Sequence, residues 1–412
     1  MAKLAGLVLG LALLASPVLA SPATGEPIKI GDITSYSKIT EYIVPYQNAV
    51  RLAVDEINET GGINGRPLDL ISIDSKGDPA AGVKAAEDLV AREKVSVLLD
   101  CNVSNATMAI SGWAKQNHIP LINSCATADT IMWDNGHDYI FRTAAGSYMW
   151  VSAAIEEAVK QYGDKIKGKR WAVVAPSYES GRAAVKMAKY SAEKLGLNAE
   201  WVVEQWPALG KLEAGPTVAA LQHAQPDVLF IYLFSSDLAK IVREGNKRGL
   251  FKDRIIISPI AGWPESLDML GKETPSGWFT VGFPVDDIKD EGFVKFRQAY
   301  NARFKDRMKF YALSGYSAVQ AVAKTLRQAG ASDPVKIREA LEQLSFPTPF
   351  GEESFRKVDH TTNAPFWVGM TGVKDGKGAL LNWHVEHVYD HSPPDAWILE
   401  QRAKAAEGKK DE

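Results

Sequence analysis

Five short polar stretches stand where an apolar run ends and helical periodicity begins. They read Ile33-Thr34-Ser35-Tyr36-Ser37, Asn102-Val103-Ser104-Asn105, Ser124-Cys125-Ala126-Thr127, Ser177-Tyr178-Glu179-Ser180 and Ser235-Ser236-Asp237. Hydroxyl and amide side chains at a helix start can cap it. Together with unpaired backbone N–H groups and the helix dipole, they can also hold a small anion. Any one stretch is ordinary capping, but three fall in a first series of strands and two in a second. Two sheets facing each other across a cleft would share such a lining.

Other chemistry is poorly supported. No Ser-His-Asp or Cys-His set can be assembled from these residues. GDKIKGKR (163–170) has the spacing of a phosphate loop, but Arg170 stands where Ser or Thr is needed, and the segment precedes a strand rather than following one. His384, His387 and His391 read as surface histidines, since alternate residues of a strand face opposite sides and His384 and His387 diverge. No metal and no cofactor is expected. Three Asn-X-Ser/Thr matches, at 58, 102 and 105, read as coincidence.

The elements that must position the polar stretches alternate regularly. IKIGDI (28–33), PLDLISIDS (67–75), VSVLLD (95–100) and IPLINS (119–124) read as strands, with helices over 46–62, 79–93 and 105–117 between them. Strands separated by helices of this length predict right-handed βαβ crossovers and a parallel sheet covered on both faces. After YIFRTAAGSYMW (139–150), which reads as a crossing, a second series runs through WAVVAP (171–176), AEWVVEQW (199–206), VLFIYLF (228–234) and IIISPI (255–260). Helices over 291–304 and 311–330 and antiparallel strands over 366–374 and 380–390 follow. The fold class expected is α/β, with two doubly wound parallel-sheet lobes.

The chain has 412 residues, 46% hydrophobic and 24% charged, with a formal net charge of −3. That near-neutral balance, without a basic run, gives no electrostatic footprint for nucleic acid or anionic lipid. The first twenty residues, MAKLAGLVLGLALLASPVLA, read as a signal peptide cut after Ala20, and no other stretch could span a bilayer. Export to an oxidising compartment would let the only two cysteines, Cys101 and Cys125, form a disulfide worth roughly 3–4 kcal/mol if their Cα atoms come within reach. Two unpaired buried thiols are the other reading the sequence leaves open.

VDEINETGGINGRPLDLISIDSKGDPAAGVKAAEDLV, residues 54–90, resembles the Leu/Ile/Val-binding family of type I periplasmic substrate-binding proteins that feed ABC importers. The likeness extends over nearly the whole chain after residue 20, including FRTAAG at 141–146 and the helix around Tyr311 to Leu326. It implies two lobes joined by three crossings, with residues 21–143 and 281–350 in the first and 144–280 and 351–397 in the second. The charged tail over 398–412 lacks apolar periodicity and is expected to fray. The resemblance also implies a monomeric, non-enzymatic periplasmic protein that closes on a small carboxylate and delivers it to an inner-membrane permease. A sensor on the same fold, reporting to a signalling partner, is the rival.

By the same likeness Ser104, Cys125 and Thr127 would hold the ligand carboxylate and share its amine, with Cys125 contributing its carbonyl and its side chain near Cys101. Ile260 stands where the amino-acid binders place the Glu that pairs the ligand ammonium, and Ser180 and Ser235 stand where they place tyrosines. Tyr148, Trp150, Tyr178 and Trp263 would supply aromatic walls. An acid-poor, aromatic-lined pocket suits a hydrophobic or aromatic acid over a branched-chain or hydrophobic amino acid.

Overall fold

The computed structural model describes residues 23–408. The leader read over residues 1–20 lies outside the described residues. Among the described residues no helix is long and apolar enough to cross a membrane.

The first series is β1 (Ile28–Thr34), α1 (Thr40–Glu59), β2 (Leu68–Asp74), α2 (Pro79–Ala91), β3 (Leu98–Cys101), α3 (Ser104–Asn117), β4 (Leu121–Asn123) and β5 (Ile140–Arg142). These strands form a five-stranded parallel sheet in the order β2-β1-β3-β4-β5. The second series is α4 (Ser147–Tyr162), β6 (Arg170–Val174), α5 (Glu179–Lys194), β7 (Glu200–Gln205), α6 (Ala214–His223), β8 (Val228–Ile231), α7 (Ser235–Arg248), β9 (Ile255–Ile257), α8 (Pro264–Leu270) and β10 (Phe279–Gly282).

The chain then returns to the first sheet with α9 (Glu291–Phe304), α10 (Phe310–Ala329), α11 (Pro334–Glu342) and a hairpin of β11 (Ser345–Thr348) and β12 (Gly351–Ser354). It ends with β13 (Pro365–Lys374), β14 (Lys377–His387), α12 (Val388–His391) and α13 (Asp395–Gly408). The second sheet runs β14-β13-β10-β9-β8-β6-β7, parallel from β10 to β7, with β13 and β14 added antiparallel. The α/β class and the doubly wound parallel sheets are therefore as the alternation predicts.

The strands read as apolar runs because helices cover both faces of each sheet: every residue of β3, β4, β8 and β9 is buried. In the first lobe α10 packs along α1, and Gly315 allows it; a Cβ there would stand 2.7 Å from the Tyr46 ring.

Connections between the lobes run side by side. Arg142, ending β5, donates its N–H to His360 O at 2.8 Å and accepts from Thr362 N at 2.9 Å. Asp129 of the first lobe accepts from Tyr148 N at 2.6 Å, at the start of α4, and meets Arg142 Nη2 at 3.5 Å. Gly146 lies against this pair; a Cβ there would sit 1.8 Å from the Asp129 carboxylate.

The tail over 398–412, expected to fray, is helical through Gly408. Ile398 is fully buried, Trp397 packs edge-on to Trp133 at 5.3 Å, and Arg402 donates to the carbonyls of Met132, Trp133 and Val358. Two apolar residues and one long cation anchor a helix whose other side chains are polar, small or, in Leu399, exposed. His391 is likewise not a surface residue: its ring lies 3.4 Å from Glu156 and 3.5 Å from Glu386, which also meets His384 at 3.0 Å.

Candidate functional site

The carboxyl ends of β3 and β4 face those of β6, β8 and β9 across a narrow cleft of about 40 Å³. In open parallel sheets ligands sit at this edge.

Register places the strand ends that open on the cleft. Thr34 pairs with Cys101 and Asp100 with Asn123, so β1, β3 and β4 end at one level. Beyond β3, Asn102 donates to Ile33 O at 2.9 Å and Asp100 Oδ1 at 2.7 Å, while Ser75 Oγ bonds its Oδ1. That fixes the turn into α3. Its N-cap, Val103, has no capping side chain, so the amides of Ser104 and Asn105 open the helix without a partner in it. Ser104 Oγ accepts from Ala128 N at 3.3 Å, which leaves its own hydrogen free to donate.

Beyond β4, Asn123 Oδ1 accepts from Cys125 N at 3.1 Å and Ala126 N at 2.8 Å, curling the loop that presents Thr127. Cys125 is joined to Cys101 in a disulfide, with Cα atoms 4.7 Å apart, which resolves the choice the sequence left open.

The lobes are shut on each other. Thr127 Oγ1 shares a hydrogen bond with Ser180 Oγ at 2.7 Å and lies 3.3 Å from Tyr232 Oη. Thr130 Oγ1 donates to Glu179 at 2.6 Å, Ser235 Oγ bonds Glu41, and Tyr42 meets Phe234 edge-on at 5.7 Å. Ser235 opens α7 at φ +52°, a left-handed conformation rare for a non-glycine residue, and such strain collects at ligand clamps.

Of the residues named from the sequence, the cleft brings together Ser104, Cys125, Thr127, Tyr178, Ser180, Ile260 and Trp263. Three lie off its wall. Tyr148 packs against Trp133 and Tyr190, Trp150 stands behind Trp263 at 4.9 Å, and Ser235 is spent on Glu41 at the rim. The start of α4 turns its large rings inward because Asp129 holds that terminus in the buried crossing. Ile39, Tyr42, Asn102, Tyr232, Phe234 and Tyr311 also line the cleft.

Among the described residues no Asp or Glu lines the cleft. Asp237, which could have replaced the missing acid, accepts from Gly210 N and Leu212 N and meets Lys240. Glu179 holds Thr130. The carbonyl of Cys125 accepts from Tyr311 Oη at 3.2 Å. Burial pushes the phenols of Tyr42, Tyr178, Tyr232 and Tyr311 up, so the lining consists of neutral donors and apolar walls. Among the described residues no group of three or more His, Cys, Asp and Glu could hold a metal ion. The arrangement can hold an anion through amides and hydroxyls.

These features define a two-lobed α/β protein with a ligand cleft between its sheets. The family described as periplasmic binding protein matches residues 27–377. A leucine-, isoleucine-, valine-, threonine- and alanine-binding protein of Pseudomonas aeruginosa is 24% identical over 353 residues, 85% of this chain and 88% of that protein. Among solved structures, an amino acid ABC transporter substrate-binding protein of Pseudomonas fluorescens superposes with a TM-score of 0.78 at 19% identity, covering 90% of this chain and 98% of the other. A solute-binding protein of Rhodopseudomonas palustris, in complex with 3,4-dihydroxybenzoic acid, gives 0.76 at 20% identity over 88% and 98%. The chain belongs to the periplasmic binding protein family.

Proposed function

We propose that the chain is an exported, non-enzymatic receptor that captures a small hydrophobic or aromatic carboxylate lacking an ammonium group. It holds the ligand between its lobes in the periplasm and passes it to the permease of an ABC importer. One observation carries the ligand class: among the described residues no Asp or Glu lines the cleft, and the Tyr311 hydroxyl already takes one of the two acceptor positions of the Cys125 carbonyl, the acceptor an amino acid's ammonium would use. Ile260, buried in the cleft wall, supplies no charge in its stead. A buried ammonium without a partner costs several kcal/mol, whereas the carboxylate would meet Ser104, the opening amides of α3, and Thr127 and Ser180.

Similar proteins are named for both ligand kinds, an amino-acid binder in one case and a dihydroxybenzoic acid complex in another; the lining of this cleft favours the second. Closure is the mechanism, because the ligand touches both lobes only when they shut and its binding energy shifts the open–closed equilibrium. A thermal-shift screen of amino acids against aliphatic and aromatic carboxylates tests the reading. Stabilisation by the acids supports it; stabilisation by leucine, with none by the deaminated acids, overturns it.

A further inference from the structure

We propose that α13 is a strap, a fourth connection between the lobes that holds them shut whatever ligand the cleft takes. The resemblance implies three crossings, and the family match ends at residue 377, so α13 lies beyond both. The stretch just before it sits on the second lobe. Val388 is fully buried, and the His391 ring packs on Phe366 of β13 at 5.5 Å and meets Glu156 of α4 at 3.4 Å. Ser392, Pro393 and Pro394 then carry the chain across, and successive prolines make a stiff link. α13 itself is mounted on the first lobe. Arg402 donates to Met132 O, Trp133 O and Val358 O at 3.1, 3.3 and 3.0 Å. Arg356, whose neighbour Phe355 packs edge-on to Phe141 of β5 at 5.0 Å, donates to Pro393 O at 2.8 Å and pairs with Asp395.

From that mounting Trp397 reaches back to the second lobe. Its ring lies 5.3 Å from Trp133 and 5.1 Å from Tyr190 of α5, and Tyr148 of α4 completes the cluster at 5.6 Å from Trp133 and 5.8 Å from Tyr190. These rings end a seam along which residues 130–134 of the first lobe run beside α5. Thr130 donates to Glu179 at 2.6 Å, Asp134 meets Lys186 at 3.7 Å, and one turn further on Trp397 bridges Trp133 to Tyr190. Opening the cleft parts this segment from α5. Trp397, fixed to the first lobe through Arg402, must then leave Tyr190. Asp134 and Lys186 are solvent-exposed partners and add little to closure, whereas an edge-on ring pair contributes beyond its buried area. The strap therefore weights the shut form through the rings.

Hydrogen exchange of the ligand-free wild type, Trp397→Ala, Tyr190→Ala and the double variant tests this. In a folded Trp397→Ala, peptides 127–134 and 177–186 should exchange about 2- to 10-fold faster, the weight of one edge-on ring pair, while β3 and β8 peptides keep their rates. Small-angle scattering should give the variant a larger radius of gyration. Each single variant removes the same contact from one side, so the double variant should exchange little faster than either. Unchanged exchange along the seam in folded variants overturns the inference. So does equal acceleration in β3 and β8, which would make α13 a source of global stability alone, and so do fully additive effects. Should Trp397→Ala fail to fold, Tyr190→Ala decides by the same comparison. No ligand enters the measurement, so its outcome is separate from that of the carboxylate reading.

Discussion

Thr127 Oγ1 and Ser180 Oγ, contributed by opposite lobes, lie 2.7 Å apart and hydrogen-bonded at the floor of the cleft. Closure thus brings together two hydroxyls that the proposed carboxylate would also use, so ligand binding and the shut form would draw on the same groups. Ser180→Ala should weaken carboxylate binding about 3- to 10-fold, the size of one lost neutral hydrogen bond. Ser104→Ala combined with Thr127→Ala should abolish the ligand-induced thermal shift while circular dichroism shows a folded chain. A double variant that binds normally would separate these residues from the ligand.

Ligand class should be exchangeable at two positions. Tyr311→Phe frees the Cys125 carbonyl, and Ile260→Glu returns a carboxylate to the wall. Together they should raise affinity for leucine by at least about tenfold and lower affinity for its deaminated analogue, since the new carboxylate repels an anion with no ammonium. Competition titrations read the ratio; unchanged selectivity would contradict the placement of these groups.

Stability should depend on pH through the acids inside the first sheet. Asp32 accepts from Tyr46 and Ser72, and Asp100 accepts from Thr107 and Asn102. Burial raises Asp32 to about 6 and Asp100 to about 7, above their unfolded values. Their contribution to stability is therefore complete at low pH and is lost as pH rises from about 4 through 7. Asp100→Asn should gain on the wild type in melting temperature between about pH 4 and pH 8. A difference independent of pH would show that Asp100 does not titrate in this range.

The disulfide ties the end of β3 to the loop that carries Thr127. Cys101→Ser with Cys125→Ser should lower unfolding stability by roughly 3–4 kcal/mol in urea titration. Dithiothreitol should then destabilise the wild type and leave this variant unaffected.

Much of this architecture was legible because buried parallel strands write themselves as apolar runs and their crossover helices as 3.6-residue periods. What escaped depended on three-dimensional neighbours. The helix expected over 46–62 begins at Thr40, running through Pro45, because burial of Tyr42, Ile43 and Tyr46 outweighs the lost backbone hydrogen bond. Tyr42 went unnoticed for that reason. Tyr232 read as the interior of an apolar strand, yet β8 stops at Ile231 and the ring faces the cleft. The α13 helix carries too little apolar periodicity to be seen, and only its docking on Trp133 explains it. Serines and threonines at strand ends announced the site; which aromatic side chains wall it did not follow from spacing.

The central claim is that this cleft seats a carboxylate and has no seat for an ammonium. Calorimetry with 3-phenylpropanoate and phenylalanine, which differ by that one group, tests it most directly. The account predicts that the acid binds and that phenylalanine is at least about 100-fold weaker, matching the several kcal/mol an unpaired buried ammonium costs. Phenylalanine binding as tightly as the acid, or tighter, would contradict it.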